Sequence, residues 1–131
     1  MRTTFGTPRL SVHELGDEQP LTVFRIVTSD ERGGRELLDA LRSHYELGSE
    51  PRRVERRSPV LHMGISVFTE RTIAAGVARR WPRLGRFIAR LELGDGVAVN
   101  YADTGGPGHL TLWGDPVKLR DAIADIEPIS P

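Results

Sequence analysis

The order in which strand-like and helix-like runs follow one another leaves this chain few folds. Leu21 to Thr28 (LTVFRIVT) is rich in β-branched and aromatic residues, as strands are. Helical spacing follows from about Arg35 to Glu46, where Leu37, Leu38, Leu41 and Tyr45 recur and Gly48 supplies a stop. Leu61 to Phe68 (LHMGISVF) is a second strand, its Gly64 marking a bulge or a close backbone approach. Thr69 then caps a helix from Glu70 to about Arg80, with Ile73, Ala74, Val77, Ala78 and Trp81 as its buried stripe and Pro82 as its end. Arg86 to Leu93 (RFIARLEL) and Val97 to Tyr101 are further strands joined by a GDG turn. The turn TGGPG at 104–108 leads into His109 to Trp113 (HLTLW). Asp115 and Pro116 open a helix to about Ala122, and IADIEPI closes as a last strand. The order β-α-β-α-β-β-β-α-β is neither the alternation of a doubly wound sheet nor an all-β pattern. It predicts a single α+β domain over 21–131, with a mixed or antiparallel sheet and two or three helices. Residues 1–20 lack sustained periodicity and are expected to form an N-terminal arm.

Composition narrows the function classes. At 131 residues, 38% hydrophobic and 27% charged, the chain has material for one core. The absence of cysteine excludes a disulfide framework, a thiolate metal site and a cysteine nucleophile. No apolar run approaches the roughly 20 residues of a membrane-spanning helix. The first twenty residues carry no apolar signal region, so a cytoplasmic location away from membranes is expected.

Net charge is zero, but its distribution is uneven. Residues 1–50 hold nine acids and six bases, and residues 92–131 hold seven acids against Lys118 and Arg120. Between them, 51–91 carries ten arginines against Glu55 and Glu70. A basic block between acidic flanks attracts phosphate, on a nucleotide or a nucleic acid, and Arg offers a planar fork for it. The acidic C-terminal segment is also able to pair with the block, within the fold or across a homodimer.

Several residues stand out as chemistry-bearing. Arg25 lies between Val23 and Val27 on one face of an apolar strand, so it must meet an anion or reach water. A ligand phosphate, a structural ion pair and a solvent-seeking edge residue all fit. Ser66 and Thr69, in GISVFTE, suit an anion or ribose contact as well as ordinary strand and cap chemistry. There is no G-x-S-x-G elbow, so a serine hydrolase is not indicated. His13, His44, His62 and His109 show no metal-ligand spacing; His62 and His109, at or near strands, serve as acid, base or structural donor. Gly105, Gly106 and Gly108 precede a strand and not a helix, which fits hairpin chemistry over a phosphate loop. Tyr45, Tyr101 and Trp113 are able to stack on a base, whereas Trp81 falls on the helix stripe.

Taken in order, the FRIV strand, GISVF with a helix behind it, GRFIARLEL, GHLTLWGDP and the closing AIADIEPI resemble the ADP-ribosyltransferase-like superfamily across roughly residues 21–129. That group includes NAD-consuming transferases, RES-type NAD-degrading toxins and RNA 2′-phosphotransferases. The resemblance implies a split mixed sheet holding NAD or a related nucleotide as co-substrate, with no tightly bound cofactor. It places Arg25 at the basic position of the first strand and Ser66 at the motif of the next. Where the transferases keep a glutamate, GHLTLWGD has His109 and Thr111. His109 and Ser66 are therefore the catalytic candidates, and Arg25, Ser66, Thr69, Arg90 and Tyr101 the nucleotide-binding ones.

Two functions follow as expectations. One is a small nucleotide-handling enzyme, a transferase or NAD-degrading toxin. The alternative is a non-catalytic binding or regulatory module that turns the basic 52–90 block toward a nucleic acid or an acidic protein. A third option makes Arg25 a core ion pair in a scaffold or subunit.

Overall fold

The computed structural model describes residues 12–14, 20–43, 45–48, 59–94, 97 and 99–129. Its strands are β1 (Val12–Glu14), β2 (Leu21–Val27), β3 (Ile65–Phe68), β4 (Phe87–Leu93), β5 (Asn100–Asp103), β6 (His109–Trp113) and β7 (Ile123–Pro128). Its α-helices are α1 (Arg35–Ala40), α2 (Pro59–His62), α3 (Arg71–Arg80) and α4 (Pro116–Asp121), with a 3₁₀ turn at Pro82–Leu84. The strands form one seven-stranded sheet in the order β1-β5-β6-β3-β2-β4-β7. Each neighbouring pair is antiparallel, so the α+β expectation holds and no parallel pairing occurs among the described residues. None of the described helices is long and apolar enough to cross a membrane.

Both faces of the sheet are covered. On one, Leu37 and Leu41 from the α1 region and Leu119 of α4 pack on Val23, Val27, Val67, Leu91, Leu110 and Leu112. On the other, α3 lays Ala74, Ala75 and Ala78 against Ile26, Phe68 and Ile88. The small alanines let this helix sit close to the strands, and Ile88 joins its core from the face of β4 opposite Ala89 and Leu91. Asp115 caps α4 as its sequence predicts, its carboxylate accepting from Val117 N at 2.8 Å. Asp115→Ala is expected to cost about 1 kcal/mol, read by thermal denaturation.

Strength is distributed unequally along the sheet. β2 and β4 are in register from Leu21 opposite Leu93 to Val27 opposite Phe87. The register of β2 with β3, by contrast, consists of Phe24 opposite Phe68. Beyond that rung the C-terminal half of β2 and the N-terminal half of β3 share no further register pair. Arg25 spans the gap. Its Nε donates to Ala40 O at 3.0 Å and its Nη1 to Ser66 O at 2.7 Å. A strand carbonyl without a strand partner and a helix-terminal carbonyl are thereby satisfied by one rigid fork. Arg32 plays a similar part elsewhere, donating to Ile123 O and Ala124 O at 2.7 and 3.1 Å.

The structure corrects several expectations. The first helix stops at Ala40, not Glu46, because Arg25 takes its terminal carbonyl and Ser43 opens a new turn. Ser43 and Glu46 exchange side chain-to-backbone bonds at 2.9 and 3.1 Å, a reciprocal cap. Leu61 and His62 end the short helix α2, so the second strand begins only at Ile65. Glu70, not Thr69, is the N-cap of α3, and no side chain bonds there. Trp81 is 59% exposed and off the helix stripe, since Pro82 forces it out of helical geometry. The strand expected at Val97–Tyr101 runs from Asn100 to Asp103. Within the expected arm, residues 12–14 are a docked strand, with Val12 opposite Ala102. His44 and the arginines at 52, 53, 56 and 57 lie outside the described residues.

Candidate functional site

Where β2 and β3 part, a cleft of about 360 Å³ opens. Register alternation puts Ser66 and Phe68 of β3 on the same sheet face as Thr111 and His109 of β6. Arg25 reaches the cleft from β2, and Arg42 and Ser43 follow α1 into it. Ile26, Phe68, Ile73, Val77 and Leu84 supply an apolar wall. Gly105 and Pro107 of the hairpin turn close the far side. Thus the cleft gathers Arg25, Ser66 and His109, and no carboxylate lines it among the described residues.

His109 is held by its own hairpin. Its Nδ1 lies 2.9 Å from Thr104 Oγ1 and also contacts the Thr104 carbonyl. A carbonyl only accepts, so Nδ1 carries the proton in that bond and Nε2 is the basic nitrogen of the neutral ring. Thr104 Oγ1 lies 2.8 Å from Thr111 Oγ1, which fixes the threonine in turn. Phe68 packs edge-on against the imidazole at 5.4 Å between centroids. Gly105 turns with φ +68°, and a Cβ there would press on His109 Nδ1 at 3.0 Å. The glycine-rich turn therefore acts as a hairpin that seats a histidine, in keeping with the hairpin reading of its sequence.

Arg42 Nη1 stands 3.5 Å from Asp39 Oδ1, one helical turn back. That oxygen is buried and hydrogen-bonded to nothing among the described residues, so the contact is an ion pair without hydrogen-bond geometry. Asp39 borders a neighbouring hollow of about 530 Å³ and not the cleft itself. The Arg25 fork directs two donors at backbone carbonyls, so it acts on the cleft through its charge and by holding β3 and α1 in place.

The remaining candidates lie elsewhere. Thr69 is exposed, and its amide donates to Gly108 O at 2.9 Å, which ties the hairpin turn to the start of α3. Tyr101 stands opposite Leu112 and packs on the core beneath α1 and α4, across the sheet from His109. Arg90 bonds Asp125 through Nε and Nη2 at 3.2 and 3.0 Å and pairs with Glu92 through Nη1. The Asp125 bond holds its guanidinium above the ordinary arginine range, and the charges of Asp125 and Glu92 act the same way. Arg71 pairs with Asp125 at 3.4 Å and Glu127 at 3.0 Å and lies over the Phe24 ring. The acidic C-terminal strand thus neutralises part of the basic block within the fold. Arg42 and Ser43 were missed by sequence reasoning; their only signal is a position just past the Leu37–Leu41 stripe. Compared with protein-family models, curated proteins and solved structures, the chain matches none of them.

Proposed function

We propose that the protein is a small nucleotide-handling enzyme whose cleft takes NAD or a related nucleotide. One observation carries the reading: a single cleft joins two arginines, a serine and an oriented histidine to an apolar wall, with no carboxylate among its described lining. Its volume lies within the range of small-molecule sites and suits one half of a dinucleotide. Phosphate oxygens are drawn to the Arg25–Arg42 end, where a bidentate Arg42 contact is available. Ser66 offers a hydroxyl to a ribose, and Ile73, Val77 and Phe68 offer a surface for a base ring.

The chemistry that fits is cleavage of the nicotinamide–ribose bond. Water attacks the ribose C1′, the N-glycosidic pair leaves with neutral nicotinamide, and the water proton passes to His109 Nε2 before release to solvent. The products are ADP-ribose, nicotinamide and a proton. His109 takes the place of the glutamate that the resembling transferases use, which favours water over a macromolecular acceptor in this reading.

Incubation with millimolar NAD and chromatography of the nicotinamide released is the test. Wild type is expected to release nicotinamide. His109→Ala is expected to lower kcat by about 100-fold, the ordinary scale for losing one acid–base group. Arg42→Ala is expected to raise KM with a smaller change in kcat. No release together with no NAD binding by calorimetry removes the reading.

A further inference from the structure

Between α3 and β4 the chain reads Arg79-Arg80-Trp81-Pro82-Arg83-Leu84-Gly85-Arg86. Every residue of this segment except Gly85 is exposed. Trp81 is 59% exposed and Leu84 47%. The neighbouring cations of the basic block, Arg71 and Arg90, are matched by Asp125, Glu127 and Glu92. Arg80, Arg83 and Arg86, by contrast, make no ion pair with a carboxylate among the described residues. The nearest acids in sequence are Glu70 and Glu92, well outside the segment.

Backbone hydrogen bonds hold the segment in place. The α3 end caps on Trp81, whose amide donates to Val77 O at 2.9 Å, and the 3₁₀ turn closes through Leu84 N to Trp81 O at 3.0 Å. Gly85 presses against the Val27 backbone and anchors the turn on β2. A large aromatic ring held in water costs hydrophobic free energy that burial would recover. Arginines on both sides of such a ring match a ligand that repeats anionic charge and flat rings along one strand.

We propose that the Arg79–Arg86 segment is a binding surface for single-stranded nucleic acid. Trp81 stacks on a base, and Arg80, Arg83 and Arg86 contact successive phosphates. An acidic peptide supplies the charge but not the rings, and duplex supplies both but keeps its bases stacked inward. Because Leu84 also lines the cleft, a strand held on this segment passes the cleft's rim. The proposal stands whether or not the cleft turns over a nucleotide.

The test uses the full chain carrying Trp113→Phe, which leaves Trp81 as its sole tryptophan. Fluorescein-labelled twelve-nucleotide DNA and RNA strands, their duplexes, and a polyglutamate of equal charge are titrated by anisotropy at 50 and 200 mM salt. Trp81 emission is followed in parallel with unlabelled strands. Single strands are expected to bind and to quench Trp81. Three or four phosphate contacts predict about a 20- to 50-fold weakening between the two salts. Trp81→Ala is expected to weaken binding about tenfold, in line with the loss of one stacked base. Arg80→Glu with Arg83→Glu is expected to abolish measurable binding, circular dichroism confirming that both variants keep the fold. Preference between RNA and DNA strands assigns the sugar. Equal binding of polyglutamate without quenching overturns the proposal in favour of an acidic protein. Equal binding of duplex, or binding indifferent to both substitutions, overturns it as well.

Discussion

Arg25→Met is expected to lower the stability of the fold by about 2–4 kcal/mol, and Arg25→Lys by roughly half as much. The guanidinium donates to Ala40 O at 3.0 Å and Ser66 O at 2.7 Å, carbonyls on different elements. Bonds from a charged donor are worth about 1.5–3 kcal/mol each, and the half-buried setting of Arg25 argues for the lower part of that range. Methionine fills space but satisfies neither oxygen, whereas the lysine ammonium is a point donor that does not bridge the pair as a planar fork does. Urea denaturation of the three proteins checks the ranking. Equal stability of wild type and Arg25→Met would sink the clamp and return Arg25 to service as a pure ligand contact. In the nucleotide assay Arg25→Lys is expected to keep the fold and lose affinity, because charge remains while the cleft wall shifts.

Gly85→Ala is expected to be at least as damaging, at about 3 kcal/mol or more. Gly85 is buried with φ +151°, a backbone conformation that L side chains rarely adopt. A Cβ there would land inside van der Waals contact with the Val27 carbonyl, and backbone yields less readily than a side chain. Relief requires moving the end of β2 or the 3₁₀ turn, both of which border the cleft and the arginine-rich segment. Thermal denaturation reads the loss, expected to be on the order of 10 °C for a domain of this size. Gly76→Ala is the matched control, since a Cβ at that exposed helical position meets nothing within 4 Å. A similar response of the two would refute the steric account.

Most strands and the last helix were legible from local chemistry. Leu21–Val27 and Phe87–Leu93 announce themselves by β-branched and apolar alternation, and Asp115-Pro116 by its capping geometry. What escaped was set by partners far away in sequence. Helix α1 ends early because a guanidinium fifteen residues back claims its carbonyl, which no helical periodicity records. The basic block reads as uniform in sequence, but Asp125 meets Arg90 across thirty-five residues and neutralises part of it. Trp81 obeyed the spacing of a buried stripe, but Pro82 overrode it one residue later. In the cleft, strand position and residue type mark Arg25, Ser66 and His109, and the topology brings them to one lining. Arg42 was invisible because nothing in a helix end tells which strand it will face.

The single rung between β2 and β3 has a mechanical consequence. Two ladders of the sheet, β1-β5-β6-β3 and β2-β4-β7, share the rung at Phe24 and Phe68 and are tied together by Arg25 and by the cores on both faces. On the proposed reading, a nucleotide lodged between the ladders would act as a keystone, adding crosslinks that this rung omits. Occupancy and resistance to unfolding are then expected to rise together.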